Sequence, residues 1–150
     1  MTLKATVVGS IELQSKLKKV SERSVELVKH AVFKGVADVE KEAKLSIQRG
    51  GKSGVVYQKY NPKRKHKSSA PGEPPASDTG FLVSNIKRFI DGDGLGGEVR
   101  SRAFYSKFLE FGTSKMLPRP FMFPALEKNR QKIITRIKKA VKTANARSSK

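Results

Sequence analysis

Ile86-Lys87-Arg88-Phe89-Ile90, Asp91-Gly92-Asp93-Gly94-Leu95-Gly96-Gly97 and Glu98-Val99-Arg100-Ser101-Arg102-Ala103 follow one another without a break. Two short runs joined by a glycine-rich turn predict a β-hairpin. In the second run Val99, Ser101 and Ala103 alternate with Glu98, Arg100 and Arg102, the period of a strand with one buried face. The flanks read as helix or loop, so the fold class is α+β: a long N-terminal helix and a C-terminal helix packed on a small antiparallel β-sheet, with a long loop.

Upstream of the hairpin, Asp78-Thr79-Gly80 opens a short helix, with Asp78 or Thr79 as cap and Leu82 facing Ile86 one turn on. Residues 50–77 show no period. This stretch holds Pro62, Pro71, Pro74, Pro75 and the basic run Lys63-Arg64-Lys65-His66-Lys67, with no acid between Arg49 and Gly72. It is expected to be a long basic Gly/Pro-rich loop, mobile until a partner orders it. Before it, Val25, Val28, Val32, Val36, Val39, Ala43 and Ile47 advance by three or four on an amphipathic stripe after Leu13, Leu17 and Val20, with Ser10 as N-cap, which predicts either one long helix or a short helix kinked at Ser21 to Ser24 and feeding a long one. Thr6-Val7-Val8 makes an extended approach to that helix.

Downstream, Phe104 to Phe111 predicts a short aromatic helix closed by Gly112 as a left-handed C-cap. Pro118-Arg119-Pro120 enforces extended chain, and Pro124 begins the last helix, with Leu126, Ile133, Ile137 and Val141 on its stripe and a basic tail over 143–150. Phe104, Tyr105, Phe108, Phe111, Phe121 and Phe123 are expected mostly in the core. Arg119, held between two prolines, is expected to anchor an interface.

The chain has 150 residues, with 32 Lys plus Arg against 13 Asp plus Glu, a formal charge of +19. One domain spanning 1–150 is the expectation, and a chain of this size buries roughly 70% of its unfolded surface. There is no cysteine, hence no disulfide and no thiolate metal site, and only His30 and His66 offer imidazoles. No apolar run reaches the ~18 residues of a membrane span, and the first residues lack the apolar segment of a secretory signal. A soluble, cytoplasmically made protein with no membrane partner is expected, and its charge will attract polyanions.

The catalytic motifs fail on their surroundings. Gly92, Gly94 and Gly97 have dinucleotide-loop spacing, but a strand follows where a helix is needed. Asp91 and Asp93 begin like a calcium loop, yet Leu95 and Arg102 stand at ligand positions. Glu73, Asp78, Asp91, Asp93, Glu98, Glu110 and Glu127 are read as surface or capping groups, so no enzyme, metal or cofactor is expected. From Glu127 to Lys150 there are nine bases and one acid, and Lys63 to Lys67 lie near Tyr57 and Tyr60. Nonspecific nucleic-acid binding is therefore the alternative function, although no DNA-reading motif is present.

Two blocks carry a family resemblance. The first is Ser69-Ala70-Pro71-Gly72-Glu73-Pro74-Pro75-Ala76 followed by Asp78-Thr79-Gly80, Leu82 and Ile86. The second is Tyr105-Ser106-Lys107-Phe108-Leu109-Glu110-Phe111-Gly112-Thr113 followed by Pro118-Arg119-Pro120-Phe121-Met122 and Pro124-Ala125-Leu126. In order and spacing they resemble the head-tail connector family of lambda-like tailed bacteriophages, described as neck, head-tail joining or tail-completion proteins. Phe81 and Phe123 stand where that pattern usually has polar or basic residues.

The resemblance implies a non-enzymatic virion protein made in the host cytoplasm. It would form a homo-oligomeric ring at the head-tail junction, against a head-closure or connector ring and tail-tube or tail-terminator proteins, with DNA passing through. Its structural motif would be Asp78, Thr79, Gly80, Leu82, Glu110, Phe111, Gly112, Thr113, Pro118 and Pro120. Interface candidates are Lys63, Arg64, Lys65, Lys67, Pro74, Pro75, Arg119 and Phe121.

Overall fold

The computed structural model describes residues 3–8 and 22–148. In chain order these form β1 (Leu3–Val8), α1 (Glu22–Arg49), β2 (Val56–Tyr60), β3 (Lys63–Lys67), α2 (Phe81–Ser84), β4 (Ile86–Ile90), β5 (Gly96–Ser101), α3 (Ser106–Phe111) and α4 (Met122–Ser148). The expected α+β architecture is observed. Ser10 and the stripe of Leu13, Leu17 and Val20 lie outside the described residues.

The larger sheet has the order β1-β5-β4, antiparallel throughout, with Val99 opposite Ala5 on one side and Arg88 on the other. Central β5 is buried along most of its length, and it starts two residues earlier than its alternation suggests, at Gly96. Glycine is needed at position 97. A Cβ there would sit 2.8 Å from the Phe89 carbonyl oxygen and 3.0 Å from Val36 Cγ2, so its absence lets α1 lie against the hairpin.

Helix α1 buries Val28, Val32, Val36, Val39, Ala43 and Ile47 against Ile86, Val99, Phe121, Met122, Ala125 and Ile133. Valine is a mediocre helix former because its branched Cβ restricts χ1. Burial offsets that cost, each such side chain contributing roughly 1.5–3 kcal/mol. Helix α4 runs antiparallel to α1: Ser24 Oγ donates to the Ala144 carbonyl at 3.4 Å, Asp38 pairs with Lys132 and Arg136, and Glu42 pairs with Lys128. Glu40, buried on α1, receives Lys44 at 2.5 Å and Arg88 of β4 at 2.7 Å. Burial alone would raise the pKa values of Asp38 and Glu40, but the hydrogen bonds and charges of these partners outweigh it and hold both carboxyls below their ordinary range.

Three expectations change here. Residues 50–77 are not a structureless loop, because β2 and β3 pair in register from Val56 opposite Lys67 to Tyr60 opposite Lys63. Position 143 does not begin a tail, since α4 continues to Ser148. Gly112 ends α3 with φ 76° but ψ −174°, a positive-φ extended geometry rather than a left-handed helical cap.

Candidate interaction surface

The second motif block folds around one carboxylate. Ser106 and Glu110 are the buried residues of α3. Glu110 Oε2 accepts the amides of Phe121 at 2.9 Å and Met122 at 3.0 Å, and Oε1 accepts that of Phe123 at 2.8 Å. These are orphan donors of the α4 N-terminus, so a residue of one helix caps another. The Arg119 amide donates to the Leu109 carbonyl at 2.6 Å, and Thr113 and Met116 bridge through their backbones. Gly112, Thr113, Pro118 and Pro120 form the loop that returns the chain to that cap.

With α3 held this way, its outer stripe faces solvent. Phe104, Phe108 and Phe111 recur at helical spacing and are 75%, 43% and 72% exposed. Leu117 and Phe123 add further exposed apolar surface, and the Phe104 ring meets Tyr105 edge-on at 5.2 Å, with Phe81 beyond it at 6.2 Å. The expectation of an aromatic core is thus corrected: of the six aromatics in this stretch Phe121 alone is buried and Tyr105 is half-buried. A six-residue helix with apolar side chains on both stripes can turn one of them inward, and Leu109 with Glu110 and Ser106 takes that side. Phe121 is removed from the interface candidates for the same reason, being 0% exposed in the core.

The first motif block lies across a cleft of about 250 Å³ from the second, with Asp78 and Leu82 on one wall and Tyr105, Leu109 and Arg119 on the other. Pro75 is buried in that wall, while Pro74 packs near Gly50 at the end of α1. Asp78 does not cap α2. Its carboxylate takes Lys59 and Arg64 in ion pairs and lies 3.5 Å from His66 Nδ1. The hydrogen bond from Lys59, with the Arg64 charge behind it, holds the Asp78 carboxyl below its usual range despite some desolvation. Thr79 Oγ1 instead accepts the Phe81 amide at 3.3 Å, and Gly80 precedes α2 with φ 79°.

Asp78 therefore pins one face of the β2–β3 ribbon to the body. Along β3, Arg64 and His66 turn toward it, while Lys63, Lys65 and Lys67 turn outward and are exposed. At the ribbon base Glu73 receives Ser53 and the Ala70 amide, and these bonds lower its pKa.

Most acids among the described residues are committed to structure. Glu98 is buried and paired with Arg100, Asp93 accepts the Leu95 amide within the turn, and among the described residues no cluster of three metal-ligating side chains forms. No helix among those residues is long and apolar enough to cross a membrane. Residues 11–112 match the family model described as "Bacteriophage HK97-gp10, putative tail-component". The chain belongs to this HK97 gp10-like family. The matched segment includes the Asp78-Thr79-Gly80 block and α3 through Gly112, and stops short of Pro118-Arg119-Pro120 and α4. No curated protein and no solved structure matches the chain. The resemblance read from the two motif blocks therefore holds at the level of a bacteriophage tail-related family, and the protein is a structural tail-related component of a virion.

Proposed function

We propose that this HK97 gp10-like protein acts without catalysis at the head-tail junction of its virion, as a homo-oligomeric ring between a head-closure or connector ring and the tail-tube or tail-terminator proteins. The observation that carries this reading is the Phe104, Phe108 and Phe111 stripe. On a chain with 30% charged residues, two phenylalanines kept in water on a helix fixed by a buried carboxylate, with Phe104 exposed in the turn just before it, are a surface built for another protein. In a ring each copy offers one patch to a different patch on its neighbour, so the aromatic stripe would meet a surface of the next copy other than its own stripe. Arg119 and Pro74, beside the cleft and at the end of α1, are placed to flank such a contact, whereas Pro75 is buried.

The test is complementation of a phage lacking this chain. Without it, DNA-filled heads and completed tails should accumulate unjoined. Wild-type protein should restore joined particles, whereas a folded Phe104→Ser, Phe108→Ser, Phe111→Ser variant should not. Normal joining without the chain would refute the position, and rescue by the variant would refute the role of the stripe.

A further inference from the structure

The outward face of the β2–β3 ribbon is a second surface, chemically unlike the aromatic one. Lys63, Lys65 and Lys67 alternate with Arg64 and His66, so the three ammonium groups share one face at intervals of about 6.7 Å along the strand. Tyr60, 80% exposed at the ribbon tip, lies opposite Lys63 on that face. Lys63 and Lys65 have no ion-pair partner among the described residues, and Lys67 feels the charge of Glu73 without contacting it. Nearly every described carboxylate is already engaged by bases or amides of this chain, so the lysine face has no internal partner to recruit.

Its composition separates two kinds of anionic partner. Protein interfaces are enriched in arginine and depleted in lysine, whereas phosphate is bound by both, by arginine through its planar fork and by lysine as a point charge. Here the arginine of the ribbon, Arg64, faces inward on Asp78, and the outward row is lysine alone. Flexible point charges in a row suit a partner that presents regularly spaced phosphates and requires no fixed bond geometry. The ribbon is also held: Lys59 and Arg64 fasten its inner face, so the outer lysines are presented on an anchored support.

We propose that the outward face of β2–β3, through Lys63, Lys65 and Lys67, binds the phosphate backbone of duplex DNA without reading its sequence. The assignment rests on charge and geometry of the subunit alone. Its failure would leave the junction reading above standing, and the reverse also holds.

Binding of the full-length protein to fluorescent duplexes of two unrelated sequences, followed by anisotropy across a salt series, tests it. Wild-type protein should bind both sequences equally, with log K falling linearly in log salt. The Lys63→Gln, Lys65→Gln, Lys67→Gln variant should reduce that slope by ~2.7, about 0.9 for each phosphate no longer neutralised. Removing as many exposed charges elsewhere, with Lys138→Gln, Lys139→Gln, Lys142→Gln on α4, should reduce it by less than half as much. Equal effects of the two variants would overturn the proposal in favour of undirected charge attraction, and absence of wild-type binding at low salt would also overturn it. Displacement of wild-type protein from DNA by polyglutamate as readily as by unlabelled duplex would reassign the face to an acidic protein.

Discussion

Replacing Glu110 by alanine should unfasten α4 from α3. The carboxylate accepts three amides at 2.8–3.0 Å, and Phe121 and Met122 are 0% and 2% exposed, so two of the donors have no route to water once it is gone. Leaving a buried donor unpaired costs about 1–3 kcal/mol, so the pair amounts to roughly 2–6 kcal/mol, while the Phe123 amide, on an exposed residue, can hydrate at little cost. Against a total stability of ~5–15 kcal/mol this is a large fraction. At roughly 2–4 °C per kcal/mol the Tm should fall by about 4–24 °C. Glu110→Gln is the informative companion. Its Oε can keep the Phe121 and Met122 amides, whereas its Nε faces the Phe123 amide as a second donor, so the loss should be confined to about 1–2 kcal/mol. Thermal unfolding by circular dichroism gives the magnitudes, and amide hydrogen exchange gives the location. If exchange at 121 and 122 stayed as slow in Glu110→Ala as in wild type, or the Tm fell by less than about 2 °C, the capping role would be wrong.

Three further outcomes are expected. Asp78 has a folded-state pKa below its unfolded value near ~3.9, so its stabilisation of the ribbon is fully present above that value and disappears as pH falls through the folded one. Ribbon amides should lose exchange protection in wild type as pH falls below about 3.9, and Asp78→Asn should show the unprotected pattern at every pH; protection independent of pH in wild type would count against the anchor. Gly97→Ala forces a methyl group against the Phe89 carbonyl and Val36, an overpacking that costs about 1–3 kcal/mol, and an unchanged midpoint in urea would contradict the close approach. Gly112→Ala places a side chain at φ 76° and 2.7 Å from the Met116 carbonyl oxygen, so a drop of about 1–3 kcal/mol is expected, read by the same titration.

The helices and the β4–β5 hairpin were legible because each buries one face, and burial writes a period into the sequence. Val28 to Ile47 carry the helical period, and Val99 to Ala103 carry the strand period. The β2–β3 ribbon has no such signature: Val56, Tyr57, Gln58 and Tyr60 are exposed whichever face they occupy, and its tie to the body is electrostatic, through Asp78. An Asp fourteen residues from its Arg partner leaves no local pattern. Glu110 is a related case. A capping carboxylate is recognisable when it sits beside the helix it caps, but this one belongs to α3 and reaches α4 through the loop held by Gly112. The aromatic stretch misled because hydrophobicity predicts burial for most positions and carries no label for those that a partner would cover. The one sign of it was the spacing of Phe104, Phe108 and Phe111, a complete apolar stripe opposite a second inward stripe already filled by Leu109.

The two proposed surfaces should answer salt with opposite signs. Subunits with a charge of +19 repel one another, so self-association must work against a like-charge field that added salt screens, the Debye length shrinking from ~10 Å at 0.1 M to ~3 Å at 1 M. Contact through Phe104, Phe108 and Phe111 is apolar and survives that screening, so copies should associate more strongly as salt rises. The lysine face of β2–β3 relies on release of counterions from DNA, so its binding weakens over the same range. Sedimentation velocity of the subunit and DNA anisotropy, run over one salt series, would show the two curves crossing. Self-association that weakened with salt would mean that ion pairs hold the copies together, and the self-contact would then have to be sought at the charged faces of α4 or the ribbon rather than on α3.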